Sequence, residues 1–360
     1  MHSLRSSRLW PGVPLALASA VLFGALAPIS KSLIESLDAQ LAAGLLYLGA
    51  GVGLALVHAG RRSAGMTALG APPRRADAGW LVAVWVFGGV VAPVLLMLGL
   101  ARTSGASASL LLNLEGVATM AIAWLVFREN VDRRLLLGAA AIVAGSVALS
   151  WSAGGLRFDA GALFVIGACV AWGIDNNLTR KLSALDPVLL AMSKGLAAGV
   201  FNIAIALARG AAIPPASIAG AVAVVGFVGI GLSLVLFIVA LRHLGAARTG
   251  AYYALAPFIG VVVAIAILNE PVTTQLLVAA VLMGVGLWLH LAERHEHEHE
   301  HEGQEHEHRH VHDAHHQHEH DGLDSRDAEP HSHSHRHTGQ RHAHAHYPDL
   351  HHRHRHDRPR

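Results

Sequence analysis

The sequence predicts an all-α polytopic membrane protein, with ten transmembrane helices as two inverted five-helix repeats and a disordered tail. Three observations predict it. Only 14% of the 360 residues are charged and the mean hydropathy is +0.43, whereas soluble domains carry about 25% charge. Second, the chain is two polymers joined near residue 292. The front part holds 18 Lys/Arg and 10 Asp/Glu between long apolar runs, too little polar surface to cover a soluble body. The last 68 residues hold 23 of the 27 His, nine Arg and fifteen Asp/Glu. Such a segment cannot bury a core, and disorder is its default. Third, the front part repeats itself.

A bilayer core needs roughly 20 apolar residues per helix. Runs of that kind occupy 12–33, 41–58, 79–101, 106–127, 134–152, 159–178, 187–208, 217–241, 247–268 and 273–292. Arg5 and Arg8 before 18-ASA-20 imitate a cleavable signal, but the first run continues through Ile29. It reads as an uncleaved span. The lone Cys169 excludes an intramolecular disulfide and suggests no thiol metal site.

Loop charge sets the orientation. With the N-terminus inside, fourteen Lys/Arg fall on the cytoplasmic side, from Arg5 to Arg294, and four outside: Lys31, Arg102, Arg157 and Arg209. Both termini are therefore expected in the cytoplasm, and the expected location is a bacterial inner (plasma) membrane.

The repeat units are 12–152 and 159–292, with 293–360 as the tail. The stretch 101-ARTSGA-106 echoes 241-LRHLGA-246, and the spans that follow end in 127-FREN-130 and 267-ILNEP-271. Early in each half, 22-LFG-24 parallels 171-AWG-173, and 37-LDA-39 parallels 185-LDP-187. Five spans is an odd number, so the second copy enters the membrane upside down. Inverted repeats of this kind typify secondary transporters, with substrate held near the midplane between halves.

This order of motifs resembles the EamA-type branch of the drug/metabolite transporter superfamily. The likeness spans residues 12–291 and leaves the tail outside. Glu129–Asn130 and Glu270–Pro271 match that family's recurring acidic junction after the fourth span of each half. The resemblance implies export of small metabolites or drugs through a central cavity lined by the first four helices of each half, with the fifth peripheral.

Ionisable groups inside a membrane are costly and mark function. Glu115 lies near the middle of the fourth span and can carry a proton or meet a cationic substrate. Asp175 and Lys194 flank the cytoplasmic loop between spans six and seven and can pair there; Asn113 adds a neutral polar group. Pro257 interrupts the ninth span in 252-YYALAPFIG-260, where Tyr252 and Tyr253 offer hydroxyls and ring faces, and Pro28 is expected to break the first span similarly. Glu129 and Glu270 suit helix starts, where the dipole favours a negative group. Gly138, Gly145, Gly284 and Gly286 give small faces for packing within the chain or for a homodimer.

The tail alternates His with carboxylates, good ligands for divalent metals. His295, His297, His299, His301, His306, His308, His310 and His312 are candidate weak sites for Zn, Ni or Co, and no other cofactor is expected. The match to HExxH at 297-HEHEH-301 is one accident within that alternation. In the spans, His58 and His290 sit at ends and His243 in a loop, at no ligand spacing. No nucleophile or metal constellation lies at one membrane depth, so no enzyme is expected. Expected partners are a small-molecule substrate, the bilayer, divalent ions at the tail and a second copy of the chain, not nucleic acid. A proton-coupled exporter of a small metabolite or drug leads, and the alternative is a metal-efflux carrier that loads from the tail.

Overall fold

The computed structural model describes residues 12–34, 37–66, 70–128, 131–152, 155–156, 159–182, 185–244 and 246–291, with four strands in the tail. Residues 1–291 and 292–360 are separate compact units.

The first unit is a bundle of ten helices: α1 Gly12–Ile34, α2 Ala39–Ser63, α3 Arg75–Leu100, α4 Gly105–Leu125, α5 Arg133–Leu149, α6 Ala160–Leu182, α7 Pro187–Ala208, α8 Ala216–Ala240, α9 Thr249–Leu268 and α10 Thr274–Leu291. Among the described residues, nine of these are long and apolar enough to cross a membrane. The remaining one, α5, has 17 residues, the short end of the roughly 17–25 that span a bilayer core. A two-residue hairpin pair, β1 Trp151–Ser152 with β2 Gly155–Leu156, joins the halves.

Each repeated motif has a local cause. Asp38 and Asp186 cap α2 and α7. Asp38 Oδ1 accepts from the backbone N–H groups of Gln40 and Leu41, and Asp186 Oδ1 from those of Val188 and Leu189. Each carboxylate satisfies two donors that a helix start leaves unpaired. The glycines of the other motif permit close approach. Gly24 of α1 lies on the backbone of Ala256 in α9, and Gly173 of α6 on that of Ala118 in α4. The first helix of each repeat therefore packs on the fourth helix of the other, where a side chain would not fit.

The two third helices carry the same irregularity. A π-helical stretch runs over Trp85–Val91 in α3 and over Phe227–Leu232 in α8. The fourth helices are also irregular. α4 tightens at Leu112–Asn113, between Gly105–Leu111 and Leu114–Leu125, with bonds from Asn113 N to Leu110 O and from Glu115 N to Leu112 O. α9 tightens at Ala254–Leu255, just before its second segment, Ala256–Leu268. Pro257 takes the second position of the new helical segment, where its missing N–H costs no bond. Pro28 corrects the sequence reading: α1 runs unbroken past it to Ile34.

The fifth helices pair with each other. Gly138 of α5 lies against the Gly286 carbonyl of α10, and His290 Nε2 lies 3.0 Å from Leu135 O. Gly138, Gly145 and Gly286 are thus used within the chain, while Gly284 faces open space.

In the tail, β3 Glu296–Glu300 pairs antiparallel with β6 Arg341–Ala345, and β4 Glu305–His310 with β5 His331–Arg336. Two-stranded ladders are marginal in water, in keeping with a segment too polar to build a core. Their register sets His297 opposite His344, His299 opposite His342, and His306, His308 and His310 opposite His335, His333 and His331. His295, His301 and His312, like Glu129 and Asn130, lie outside the described residues.

Candidate functional site

Between the repeats lies a cavity of about 320 Å³. Every one of the first four helices of each repeat contributes to its wall, and α5 and α10 contribute nothing among the described residues. Most of the lining is aliphatic or aromatic. The polar groups are Glu115 from α4, Asp175 and Asn176 from α6, Lys194 from α7, Ser233 from α8, and the phenols of Tyr47 and Tyr253.

Asp175 and Lys194 form an ion pair, Nζ to Oδ2 at 2.8 Å, with the Asp175 side chain 5% exposed and that of Lys194 21%. Thr179 Oγ1 lies 3.4 Å from the other Asp175 oxygen. Two buried charges of opposite sign at this distance lower the cost of burying each. Glu115 sits in the first turn of the second segment of α4. Its Oε1 accepts from Asn176 Nδ2 at 2.9 Å, and the same amide nitrogen lies 3.2 Å from Thr119 Oγ1. Thr119 in turn donates to the Glu115 carbonyl at 2.8 Å. Asn177 donates to Thr119 O and Gly173 O, tying α6 to α4 on the same side.

The π-helical stretch of α3 supplies the anchor that the sequence did not reveal. A π turn releases carbonyls from the regular ladder, and such turns recur at functional sites. Here the Gly88 carbonyl accepts from Tyr47 OH at 2.8 Å and from the Trp172 indole at 3.2 Å, and the Gly89 carbonyl accepts from Asn202 Nδ2 at 3.2 Å. Gly88 also makes room for Asp175, whose carboxylate occupies the space a Cβ would take. One backbone irregularity therefore holds Tyr47, Trp172 and Asp175 together. In α8 the counterpart carbonyls, Gly229 and Ile230, accept from Ser233 Oγ at 2.7 and 3.2 Å. On the opposite wall Tyr253 contacts Phe23 and Phe237, at centroid distances of 5.3 and 4.9 Å.

Of the candidate residues, Glu115, Asp175, Lys194 and Tyr253 meet at the cavity. Asn113 turns elsewhere: its Nδ2 donates to Leu110 O at 2.9 Å and lies 3.8 Å from Met283 Sδ of α10. Tyr252 packs against the buried cluster of Ala16, Ala240 and Leu244 instead. Pro257 shapes α9 from outside the lining. Tyr47, Trp172, Phe23 and Phe237 were missed, because an aromatic residue inside an apolar span has the pattern of core. The Gly88–Gly89 pair in an otherwise bulky span was the signal available.

Eight of the ten helices, four from each half, surround one cavity, the architecture of a multi-pass membrane protein. The EamA-like transporter family matches the chain twice, over residues 10–151 and 159–292. The chain belongs to that family. An uncharacterized transporter of Methanothermobacter thermautotrophicus is 28% identical over 297 residues, which is 78% of this chain and 86% of that protein. A solved structure described only as a crystal structure of a protein shares the fold, with a TM-score of 0.56 and 18% identity over 78% of this chain and 95% of its own.

Proposed function

We propose that the protein is a secondary transporter that exports a small organic metabolite or drug across a bacterial inner membrane by alternating access. The carrying observation is the cavity between the repeats, apolar over most of its wall and supplied with Glu115 and the Asp175–Lys194 pair. Substrate binds there, and the inverted repeats expose it to one side and then the other. Glu115 serves as the proton carrier, so that an inward proton gradient drives export. The fourteen-to-four bias of loop Lys/Arg supports cytoplasmic termini, which puts the tail on the side from which substrate is collected.

The tail favours a second reading, efflux of Zn, Ni or Co, since it carries 23 His and its ladders set His opposite His. The cavity lining favours the organic substrate: most of it is aliphatic or aromatic, and among the described residues Glu115 is the one lining carboxylate not already paired with Lys194.

Inside-out vesicles decide between them. Divalent-metal uptake by the full chain that collapses on truncation after Leu291 makes metal the cargo. Proton-driven uptake of organic solutes that survives truncation and is lost in Glu115→Gln supports the first reading, and a Glu115→Gln protein that transports normally removes the proton role.

A further inference from the structure

We infer that the cavity takes a hydrophobic organic cation, a substituted ammonium bearing a ring or branched alkyl group, and that Glu115 holds it in place of a proton. This rests on the carrier reading above and narrows it to one class of substrate.

Charge is the first argument. Among the described residues that line the cavity, Glu115, Asp175 and Lys194 carry formal charge. Asp175 and Lys194 neutralise each other at 2.8 Å. That leaves the Glu115 carboxylate, which one neutral amide, that of Asn176, contacts at Oε1. A charge with so little compensation in an apolar wall is stabilised by a ligand of opposite sign.

The hydrogen-bond donors of the lining point the same way. An anionic or strongly accepting ligand needs free N–H and O–H groups. The Tyr47 hydroxyl and the Trp172 indole are both spent on the Gly88 carbonyl. The Ser233 hydroxyl is spent on Gly229 O, and the Asn176 amide on Glu115 and Thr119. The Tyr253 phenol is the remaining lining hydroxyl, a single neutral donor on the aromatic wall. An anion would reach the Lys194 ammonium only in competition with Asp175. A cation meets a carboxylate and ring faces.

Those rings are the third argument. Phe23, Tyr253 and Phe237 form a contiguous cluster on one wall, and Tyr47 and Trp172 line another. Ring faces attract ammonium groups through the quadrupole, more strongly where water is excluded. At about 320 Å³ the cavity lies near the lower end of small-molecule sites, so it fits one ring and one ammonium group.

One carboxylate balances one positive charge, so proton and cation exclude each other. The ionisable groups around Glu115 are Asp175 and Cys169 of α6, Lys194 of α7, Tyr47 of α2 and Tyr253 of α9.

The test is binding of benzyltrimethylammonium to the purified full chain in detergent between pH 6 and 8.5, with 3-phenylpropionate as the anionic counterpart. The cation should bind and the anion should not. Lowering pH should weaken cation binding by up to about tenfold per unit, the limit for exchange of one proton, with proton release on binding at low pH. Glu115→Gln should bind the cation at least tenfold more weakly and without pH dependence. Asp175→Asn leaves the Lys194 charge uncompensated, so cation binding should fall and 3-phenylpropionate binding should appear, a gain that a misfolded protein cannot show. Equal or tighter binding of the anion by the unaltered chain, pH-independent cation binding, or no cation binding at 10 mM each overturns the inference. Proteoliposomes separate this from the carrier reading. Proton-driven movement of the anion but not the cation leaves a carrier with a different substrate class, whereas a cation that binds while no solute crosses leaves the site and removes the carrier.

Discussion

Glu270, at the end of α9, caps α4 from 165 residues away in sequence: its Oε1 accepts from Gly105 N at 2.6 Å and its Oε2 from Ala106 N at 2.8 Å. Both carboxylate oxygens are used, each on a backbone donor that a helix start leaves without a partner, and the helix dipole adds to the attraction. The contact ties the fourth helix of one repeat to the fourth helix of the other at the membrane face where Lys31 Nζ binds Leu100 O and Thr103 O at the end of α3. Two helix ends, the start of α4 and the end of α3, are thereby closed by two charged side chains.

Glu270→Ala should therefore destabilise the protein by about 1–2 kcal/mol, the range for loss of a helix cap, and Glu270→Gln by less, because an amide oxygen still accepts one of the two bonds. Thermal unfolding in detergent measures this. A midpoint unchanged in Glu270→Ala would show that water replaces the carboxylate without loss.

The ion pair in the cavity predicts an asymmetry. Asp175 is the more enclosed partner, at 5% side-chain exposure against 21% for Lys194. Lys194→Met strands a carboxylate that little solvent reaches and should cost about 3–5 kcal/mol, as when a buried pair loses one member. Asp175→Asn leaves an ammonium that the cavity can hydrate, and it should cost nearer 1–3 kcal/mol. The double variant should cost less than the two added together, because neither partner is then left charged. A strictly additive double-mutant cycle would mean that the two groups do not stabilise each other.

Much of this architecture can be read in the sequence because its causes are local or periodic. Apolar runs of membrane length give the helices, and the paired motifs at Gly24 and Gly173 and at Asp38 and Asp186 give the repeat, while their work as close contacts and helix caps shows only in the structure. The charges of Glu115, Asp175 and Lys194 stand out against an apolar background. What escaped depends on backbone geometry that no single residue dictates. The π turns of α3 and α8 and the tightening of α4 at Asn113 arise in runs of helix-compatible residues, and Asn113 itself points to Met283 because α10 lies there. Tyr47 and Trp172 acquire their roles only through the Gly88 carbonyl. Pro28 misled in the other direction, since α1 continues past it.

Gly88 is the position where that hidden geometry can be tested. A methyl group there would occupy the space of the Asp175 carboxylate, so Gly88→Ala should cost about 1–3 kcal/mol, the range for overpacking. It should also impair cavity binding, because Tyr47 and Trp172 share the carbonyl of the same residue. Gly60→Ala is the control. It lies in α2 with open space around it, and removing a helical glycine there should be neutral or stabilising by up to about 1 kcal/mol. Measured side by side, the thermal midpoint of Gly88→Ala should fall while that of Gly60→Ala holds or rises.

The tail should be separable from the helical body. Residues 1–291 form a compact unit by themselves, and among the described residues the cavity lining comes from them. A chain ending at Leu291 should keep the thermal midpoint of the full chain to within a degree or two. It should lose nearly all binding of Ni²⁺, because imidazole is the preferred ligand type for such ions and 23 of the 27 His are gone. The His-against-His register in both tail ladders sets pairs of imidazole-bearing residues at neighbouring backbone positions, about 5 Å apart across an antiparallel pair. Calorimetric titration of both chains with Ni²⁺, run beside an organic-cation uptake assay, reads the two properties separately. Loss of metal binding with uptake intact would make the tail an accessory to the carrier. Loss of both would mean that the tail delivers to the cavity, and the substrate would then have to be sought among metal complexes.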